Sequence, residues 1–319
     1  MRNRIWRGSV VALAAALGAV VALSVTRTSG QATRPARTAD GHPNFNGIWQ
    51  ANNEANWDLQ AHEARAGAVM QKGVYEYDYA RVPAAPSLPF GAAGGVPASL
   101  GVVDGDGQIP YKPEALAKKK DNAEHWLDRD PELKCYLPGI PRAMYLPYPF
   151  QIVQGTNKIE MAFAFTNAAR TVHLDKVDPP PDDMWMGHAT GRWEGDTLVV
   201  DVSHFNDKTW LDRAGNFHGD KLHVVERFAP ISPDAIRYEA TIEDPDVYTR
   251  PWRISMPLYR RLEPNALLLE YRCVEFVEEY LYGHLRKAPL VKKWEGETII
   301  VDITRTVPPL DKLYDRYGR

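Results

Sequence analysis

Residues 193–202 read Trp-Glu-Gly-Asp-Thr-Leu-Val-Val-Asp-Val, and residues 294–303 read Trp-Glu-Gly-Glu-Thr-Ile-Ile-Val-Asp-Ile. The two stretches differ only by conservative changes. Each has the pattern of a β-hairpin: a strand that ends at Trp, a two-residue turn centred on Glu-Gly, and a β-branched run that closes on Asp. The repeat therefore predicts a protein built largely from strands that follow one another along the chain.

Further short β-branched and aromatic runs, separated by turn residues, lie around the first copy of the repeat. Turn signals at 155–157, 232–234 and 263–265 predict hairpin connections. The predicted strands lie near 150–154, 158–165, 170–174, 189–193, 197–204, 221–229, 235–243, 251–260 and 266–273. So many short antiparallel strands predict a mainly β fold, either a barrel or, as the alternative, a β-sandwich.

Helices are predicted only at the periphery of this β-rich body. Polar and apolar residues at helical spacing predict helices over 52–72 and 274–287, and Pro113 opens a third helix that runs to residue 126. The stretch 82–111 is rich in Pro, Gly and Ala, which predicts a loop or lid.

The N-terminus has the layout of a secretory signal peptide over residues 1–32. Arg2, Arg4 and Arg7 precede an apolar run of about 14 residues, shorter than the roughly 20 needed to span a bilayer. Cleavage is expected, which would place the protein in the periplasm or outside the cell, with no membrane span left. The alternative is that the segment is retained as an anchor.

After the signal, two regions are expected. Residues 33–134 form an N-terminal extension with the first strand, helices and the Gly/Pro-rich loop, and residues 135–319 form the barrel body with a C-terminal helix and hairpin. Cys135 and Cys273 are the only cysteines. In an oxidising compartment they are expected to pair, and the long loop that they close makes the bridge worth about 4 to 5 kcal/mol on the chain-entropy model. The alternatives are two buried free thiols, or one cysteine that acts as a nucleophile.

Charge and motifs exclude several functional classes. The net charge of −3 and the scattered Lys and Arg residues leave no basic stripe, so nucleic acid is not expected as a partner. The chain has no Walker motif, no Gly-x-Gly-x-x-Gly and no Gly-x-Ser-x-Gly elbow. The absence of these motifs means that no organic cofactor is predicted. No metal is predicted either, because the His and Cys spacings match no known metal motif.

Two resemblances accompany this reasoning. Asn46-Gly47-Ile48-Trp49 resembles the Gly-x-Trp signature that opens the first strand of lipocalin-type barrels, in which the Trp closes one barrel end. The likeness implies an antiparallel lipocalin-like β-barrel with short peripheral helices. The pattern Trp185-Met186-Gly187-His188, 191–201, 206–212, 218–228 and 241–252 is similar to a large family of secreted bacterial proteins of unassigned activity. That likeness covers roughly residues 40–275 and implies export and one β-rich domain, without any catalytic residue.

Candidate catalytic residues come from a stretch dense in His and Asp. His188 and His218 are the predicted acid–base residues, because a carboxylate beside an imidazole orients the ring and raises its basicity. Either Asp212 or Asp220 is the predicted partner of His218, and either Asp182 or Asp183 is the predicted partner of His188. The alternative is that these histidines sit on turns and strand ends without a chemical role.

Candidate ligand-binding residues follow from the first copy of the repeat. That copy is followed by a polar and aromatic run which the second copy lacks, and such runs at strand ends are typical of barrel mouths. The predicted ligand-binding residues are His204, Asn206, Asp207, Lys208, Trp210, Trp185 and Tyr145.

The alternation of polar and apolar residues along two predicted strands indicates that one face of the sheet is polar. Polar residues occupy every second position around Glu226, Arg237 and Glu239. On a sandwich these side chains would form cross-strand ion pairs in solvent, whereas in a barrel with a ligand cavity they could point inward.

The leading hypothesis is a secreted protein that holds a small hydrophobic or aromatic molecule in a barrel cavity. The alternative is a cofactor-independent acid–base enzyme, a lyase, isomerase or hydrolase, acting on such a molecule. A third interpretation, a carbohydrate- or envelope-interacting module, has no specific motif.

Overall fold

The computed structural model describes residues 36–64, 96–274, 290–294 and 297–301, the last two ranges as backbone only. The predicted signal peptide, all but the first residue of the predicted C-terminal helix and the centre of the Gly/Pro-rich stretch lie outside these ranges. No helix among the described residues is long and apolar enough to cross a membrane.

Nine strands close into a barrel. They are β1 (Gly47–Ala51), β2 (Phe150–Gln154), β3 (Lys158–Phe163), β4 (Ala169–His173), β5 (His188–Glu194), β6 (Thr197–Ser203), β7 (His223–Ser232), β8 (Ala235–Glu243) and β9 (Trp252–Arg260). β1 pairs with both β2 and β9, which completes the cylinder. The prediction of a mainly β barrel is confirmed, and the sandwich alternative is wrong.

One strand pair departs from the expected antiparallel arrangement. β4 and β5 run parallel, with Val172 opposite Ala189 and His173 opposite Thr190, while every other neighbouring pair in the barrel is antiparallel. A parallel pair cannot be joined by a tight hairpin. The segment 174–187 therefore crosses back between the two strands.

The repeat forms two hairpins whose turns differ by one residue. In the first copy β5 continues through Glu194, which pairs with Thr197, so the turn is Gly195-Asp196 and not the predicted Glu-Gly. Gly195 adopts a φ of +62°, a conformation that glycine reaches without steric cost. In the second copy β10 (Leu290–Trp294) and β11 (Glu297–Val301) form a separate two-stranded sheet with two residues between them, as predicted.

The helix predictions are met only in part. The predicted helix at Pro113 forms as α1 (Pro113–Glu124), and a single turn, α2 (Trp126–Arg129), follows it. Residues 52–64 are not helical, because Asn53 and Asp58 use their side chains to accept hydrogen bonds from nearby backbone N–H groups.

The predicted strand at 266–273 is also wrong. The segment contains no strand, because the closed barrel has no free edge to which it could add. Its end is instead held by side chains. Tyr271 packs on Tyr148, and Cys273 forms the predicted disulfide with Cys135.

The base of the barrel is closed by Trp49 and Arg260. Trp49 is almost fully buried, and the Arg260 guanidinium lies 4.3 Å from the centre of its ring. Arg260 also donates hydrogen bonds to the carbonyl oxygens of Asn46, Asn44 (3.1 Å) and Pro233 (3.2 Å). One side chain thus joins the last strand, the chain leading into the first strand and the β7–β8 turn.

We expect Arg260→Met to lower the free energy of unfolding by about 1.5–3 kcal/mol, because hydrogen bonds from a charged donor are lost while the apolar stem is kept. Urea unfolding followed by Trp fluorescence measures the change. Arg253→Met is the matched control, since Arg253 forms an exposed ion pair with Asp104 and its loss should cost less than about 1 kcal/mol. Equal effects of the two substitutions would show that Arg260 does not hold the base.

Candidate functional site

A polar triad lies inside the barrel, formed by Arg170 on β4, Glu226 on β7 and Tyr238 on β8. Arg170 and Glu226 form an ion pair, and both side chains are almost fully buried. Arg170 donates to the two carboxylate oxygens of Glu226 at 2.5 and 3.1 Å, and Tyr238 donates to the same carboxylate at 2.8 Å. The phenol pKa of Tyr238 is raised by burial and by the Glu226 charge. Glu226 points inward, as the barrel alternative allowed, whereas Arg237 is exposed, so the two do not share the single polar face that was predicted.

The rest of the Arg170 guanidinium contacts methionine sulfurs. Its Nε and Nη2 atoms lie 3.3 and 3.1 Å from Sδ of Met161, and Nη2 lies 3.5 Å from Sδ of Met144. A thioether sulfur is a weak hydrogen-bond acceptor, and a methionine side chain is flexible enough to change its packing. The interior therefore contains a strong donor whose partners, apart from Glu226, are replaceable.

A cap covers the barrel end at which β2 and β4 begin. It consists of residues 130–148 and 205–218. A 3₁₀ turn at Arg142–Met144 brings Met144 to Arg170 inside the barrel. Tyr145, a predicted ligand-binding residue, is buried and donates to the carbonyl oxygen of Leu211 at 2.8 Å, so it joins the two parts of the cap.

Buried charges hold the cap together. Arg142 forms a bidentate pair with Asp130, at 2.7 and 2.8 Å, and also donates to Glu132 at 2.8 Å. Arg213 reaches Glu132 from the other part of the cap at 2.8 Å. Burial opposes ionisation of Glu132, but the charges of Arg213 and Arg142 outweigh it and lower the pKa of this carboxyl. The two arginines, Arg142 and Arg213, thus neutralise the two carboxylates, Asp130 and Glu132, in a region that excludes water.

Asp212 does not partner His218. It is fully buried and accepts hydrogen bonds from the backbone N–H groups of Leu59 (2.9 Å) and Asn216 (3.1 Å) and from the Asn216 side chain (2.6 Å). Burial, followed by the charge of nearby Asp58, raises its pKa to about 7. Asp212 therefore organises the cap, and it changes protonation near neutral pH.

His218 instead forms a buried pair with Thr209. The Nδ1 atom of His218 lies 2.8 Å from the carbonyl oxygen of Gly219, which only accepts, so Nδ1 carries the proton. Nε2 then accepts from the Thr209 hydroxyl at 2.6 Å. Burial lowers the pKa of the imidazole, which favours the neutral ring. The predicted partner Asp220 is exposed and makes no ring contact with His218 among the described contacts.

His188 lies in a group of histidines on the outer face of the barrel. Its ring centre is 5.5 Å from that of His173 and 6.2 Å from that of His204, and Nδ1 of His204 lies 2.9 Å from the Ser203 hydroxyl. Asp182 and Asp183 are exposed on the crossover and form none of the described contacts of His188. Burial, followed by the His173 and His204 charges, lowers the pKa of His188.

The remaining predicted ligand-binding residues do not converge on one pocket. Asn206 caps its own turn by accepting from the backbone N–H of Lys208. Asp207 and Lys208 are exposed, Trp210 bridges to Phe217 within the cap, and Trp185 packs edge-on against Tyr136. The structure thus divides the predicted site among the cap, the outer face and solvent.

Sequence reasoning missed Arg170, Tyr238 and the ionic network of the cap. A signal for the first two was present. Arg170 shares the period-two face of Val172, and Tyr238 shares that of Ile236 and Ala240, all of which point inward. A charged residue in phase with a buried face indicates a partner inside the core.

No group of three or more His, Cys, Asp or Glu side chains within the described ranges is arranged to hold a metal ion. Comparisons of the chain with protein-family models, curated proteins and solved structures found no match. The two sequence resemblances therefore stay predictions.

We expect Glu226→Met to lower the free energy of unfolding by about 3–5 kcal/mol, because it leaves the Arg170 charge buried without its partner. The double variant R170M/E226M should recover most of this loss, since it removes both charges and keeps the volume of the core. Urea unfolding of the two variants and the wild type measures the difference. Equal losses in both variants would mean that the ion pair is not what couples β4 to β7.

We expect the wild type to gain stability relative to Asp212→Asn as the pH falls from 8 to 5. The folded state binds a proton at Asp212 near pH 7, whereas the unfolded chain does so only near pH 4, so ionisation of Asp212 opposes folding as the pH rises through this window. Urea unfolding at both pH values tests this. Asp207→Asn is an exposed control, and a pH-independent difference between wild type and D212N would contradict the assignment.

Proposed function

We propose that the protein is a secreted small-molecule-binding protein that holds a mostly apolar ligand inside the barrel, beneath the cap. The observation that carries the proposal is the Arg170 guanidinium, which lies inside the barrel and contacts two methionine sulfurs beside its one carboxylate partner. A ligand oxygen is a stronger acceptor than sulfur. It would take the place of the Met144 side chain, which belongs to the cap.

The strand number and lining of the barrel support this function. Barrels of about eight strands are filled by side chains or hold one small ligand. The interior faces carry Phe150, Phe163 and Phe228, the last of which packs on Tyr238 of the triad, and the base is closed by Trp49. A closed base, an aromatic wall and a cap with a flexible methionine suit a guest that enters from the capped end. Trp49 at the base also agrees with the proposed lipocalin-like character.

The triad constrains the class of ligand. Arg170 and Glu226 already neutralise each other, so a second anion would add an uncompensated buried charge. A neutral ligand with a carbonyl or hydroxyl oxygen could accept from Arg170 without that cost. We therefore propose an uncharged hydrophobic or aromatic molecule with one such polar group. Secretion is part of the proposal, and the Cys135–Cys273 disulfide is compatible with an oxidising compartment.

Native mass spectrometry of the protein purified from its own periplasm tests the proposal. We expect the wild type to retain an organic mass and R170M/E226M, which keeps the core neutral, to lose it. Arg227→Met is the matched control, because Arg227 lies on the outer face and pairs with Glu194. A wild type without bound mass, or a double variant with undiminished bound mass, would overturn the proposal.

A second candidate, a cofactor-independent acid–base enzyme, is favoured by the Thr209–His218 pair. Its neutral imidazole, with Nδ1–H held by a backbone carbonyl and Nε2 facing a hydroxyl, has the arrangement of a general base beside a nucleophile. Both residues are buried, so the cap would have to open for reaction. Conversion of the retained molecule by the wild type and not by H218N would favour the enzyme, whereas an unchanged mass in both favours the binding protein.

A further inference from the structure

The parallel pair β4–β5 is the seam of the barrel. Only two residue pairs join these strands, Val172 with Ala189 and His173 with Thr190. The neighbouring strands β5 and β6 are joined by seven pairs, from His188–Ser203 to Glu194–Thr197. Parallel pairing is also somewhat less stable for each residue than antiparallel pairing. Separating β4 from β5 therefore breaks fewer backbone pairs than separating any other two neighbouring strands of the barrel.

Histidines stand on both sides of this seam. Val172 and Ala189 point into the core, so their neighbours His173 and His188 point outward. The two ring centres are 5.5 Å apart at an interplanar angle of 30°, and the ring centre of His204, the residue just after β6, lies 6.2 Å from that of His188. The residue His204 has a φ of +56°, which is uncommon for a residue other than glycine. As neutral rings the three pack together, but as imidazolium ions they would repel one another.

One surrounding carboxylate, Glu160 on β3, partly offsets this repulsion, because the pKa of its carboxyl is lowered by hydrogen bonds with Lys158 and Thr171 and then by a positive charge on His173. On β3, Lys158 is the register partner of His173, and Glu160 bonds to Lys158 and to Thr171. On β6, Asp201 accepts from His223 of β7, and Glu243 of β8 lies on the far side of that ring. The crossover carries exposed charged residues, none of which contacts the three rings among the described contacts: Asp175, Lys176, Asp178, Asp182 and Asp183.

We propose that the β4–β5 seam is an acid-opened gate of the barrel, in which protonation of His173, His188 and His204 places like charges on both sides of the seam and separates the strands. The inner face of β4 carries Arg170 and Val172, so separation exposes the buried triad to water. A role in releasing a ligand rests on the proposed function, whereas the opening itself does not.

The direction of the pH effect follows from the burial of His188. Its folded pKa lies below the ordinary value, so the unfolded or opened state binds protons more readily than the closed state. The closed seam is fully stable above about pH 6.5 and loses stability as the pH falls below that value.

Hydrogen exchange with mass spectrometry at pH 7.5 and 5.0, corrected for the intrinsic pH dependence of exchange, tests the gate on the full chain. We expect protection of 169–173 and 188–194 to fall about tenfold at pH 5.0, because the repelling imidazolium ions favour the open seam. Protection of β8 and β9 should change by less than about twofold, because those strands pair along most of their length. An equal fall in β8 and β9 would overturn the proposal.

Variants separate the gate from a general effect of acid. H173Q/H188Q should keep the seam protected at pH 5.0, each single variant should give an intermediate result, and His188→Arg should open the seam at pH 7.5. H125Q is the control, since His125 is exposed beside Asp121 on α1, away from the seam. A wild-type acid response in H173Q/H188Q and in the single variants would overturn the proposal. No ligand is needed, so an opening seam without a retained organic mass would leave the gate standing and the binding function rejected.

Discussion

The structure depends on the closure of the barrel by β1. This strand comes from the N-terminal extension, and it pairs with β9 on one side and β2 on the other. Without it, both neighbours would present an open edge and the core would face water. Arg260 stabilises the closure, because it connects the end of β9 to the residues just before β1 and packs on Trp49.

Closure by an N-terminal strand also explains the cap. The chain must travel from the end of β1 to the start of β2, and both points lie at the same end of the barrel. The long connection therefore stays at that end. Buried ion pairs among Arg142, Asp130, Glu132 and Arg213 hold part of it in place. Such a network contributes little net stability, because desolvation offsets much of the attraction, but removal of one partner would leave a buried charge without compensation.

Three features carry the functional argument and occupy three separate places. The Arg170 triad lies inside the barrel, the Thr209–His218 pair lies in the cap, and the histidines of the seam lie on the outer face. The cap links the first two through Met144, and β4 links the first to the third, because Arg170 and His173 are on opposite faces of the same strand. The proposed binding inside the barrel and the proposed opening of its wall would thus be coupled through one short strand.

The sequence by itself determined the local elements. Period-two alternation and turn residues located the barrel strands from β2 to β9, Pro113 located α1, and the two cysteines indicated the disulfide. Tertiary structure decided the parallel seam, the inward pairing of Arg170 with Glu226 and the separation of His218 from Asp212. Alternation shows that two residues share a face, but which distant strand supplies a partner depends on barrel closure. Closure joins β1 to β2 about a hundred positions away and to β9 about two hundred positions away, and no local pattern records it.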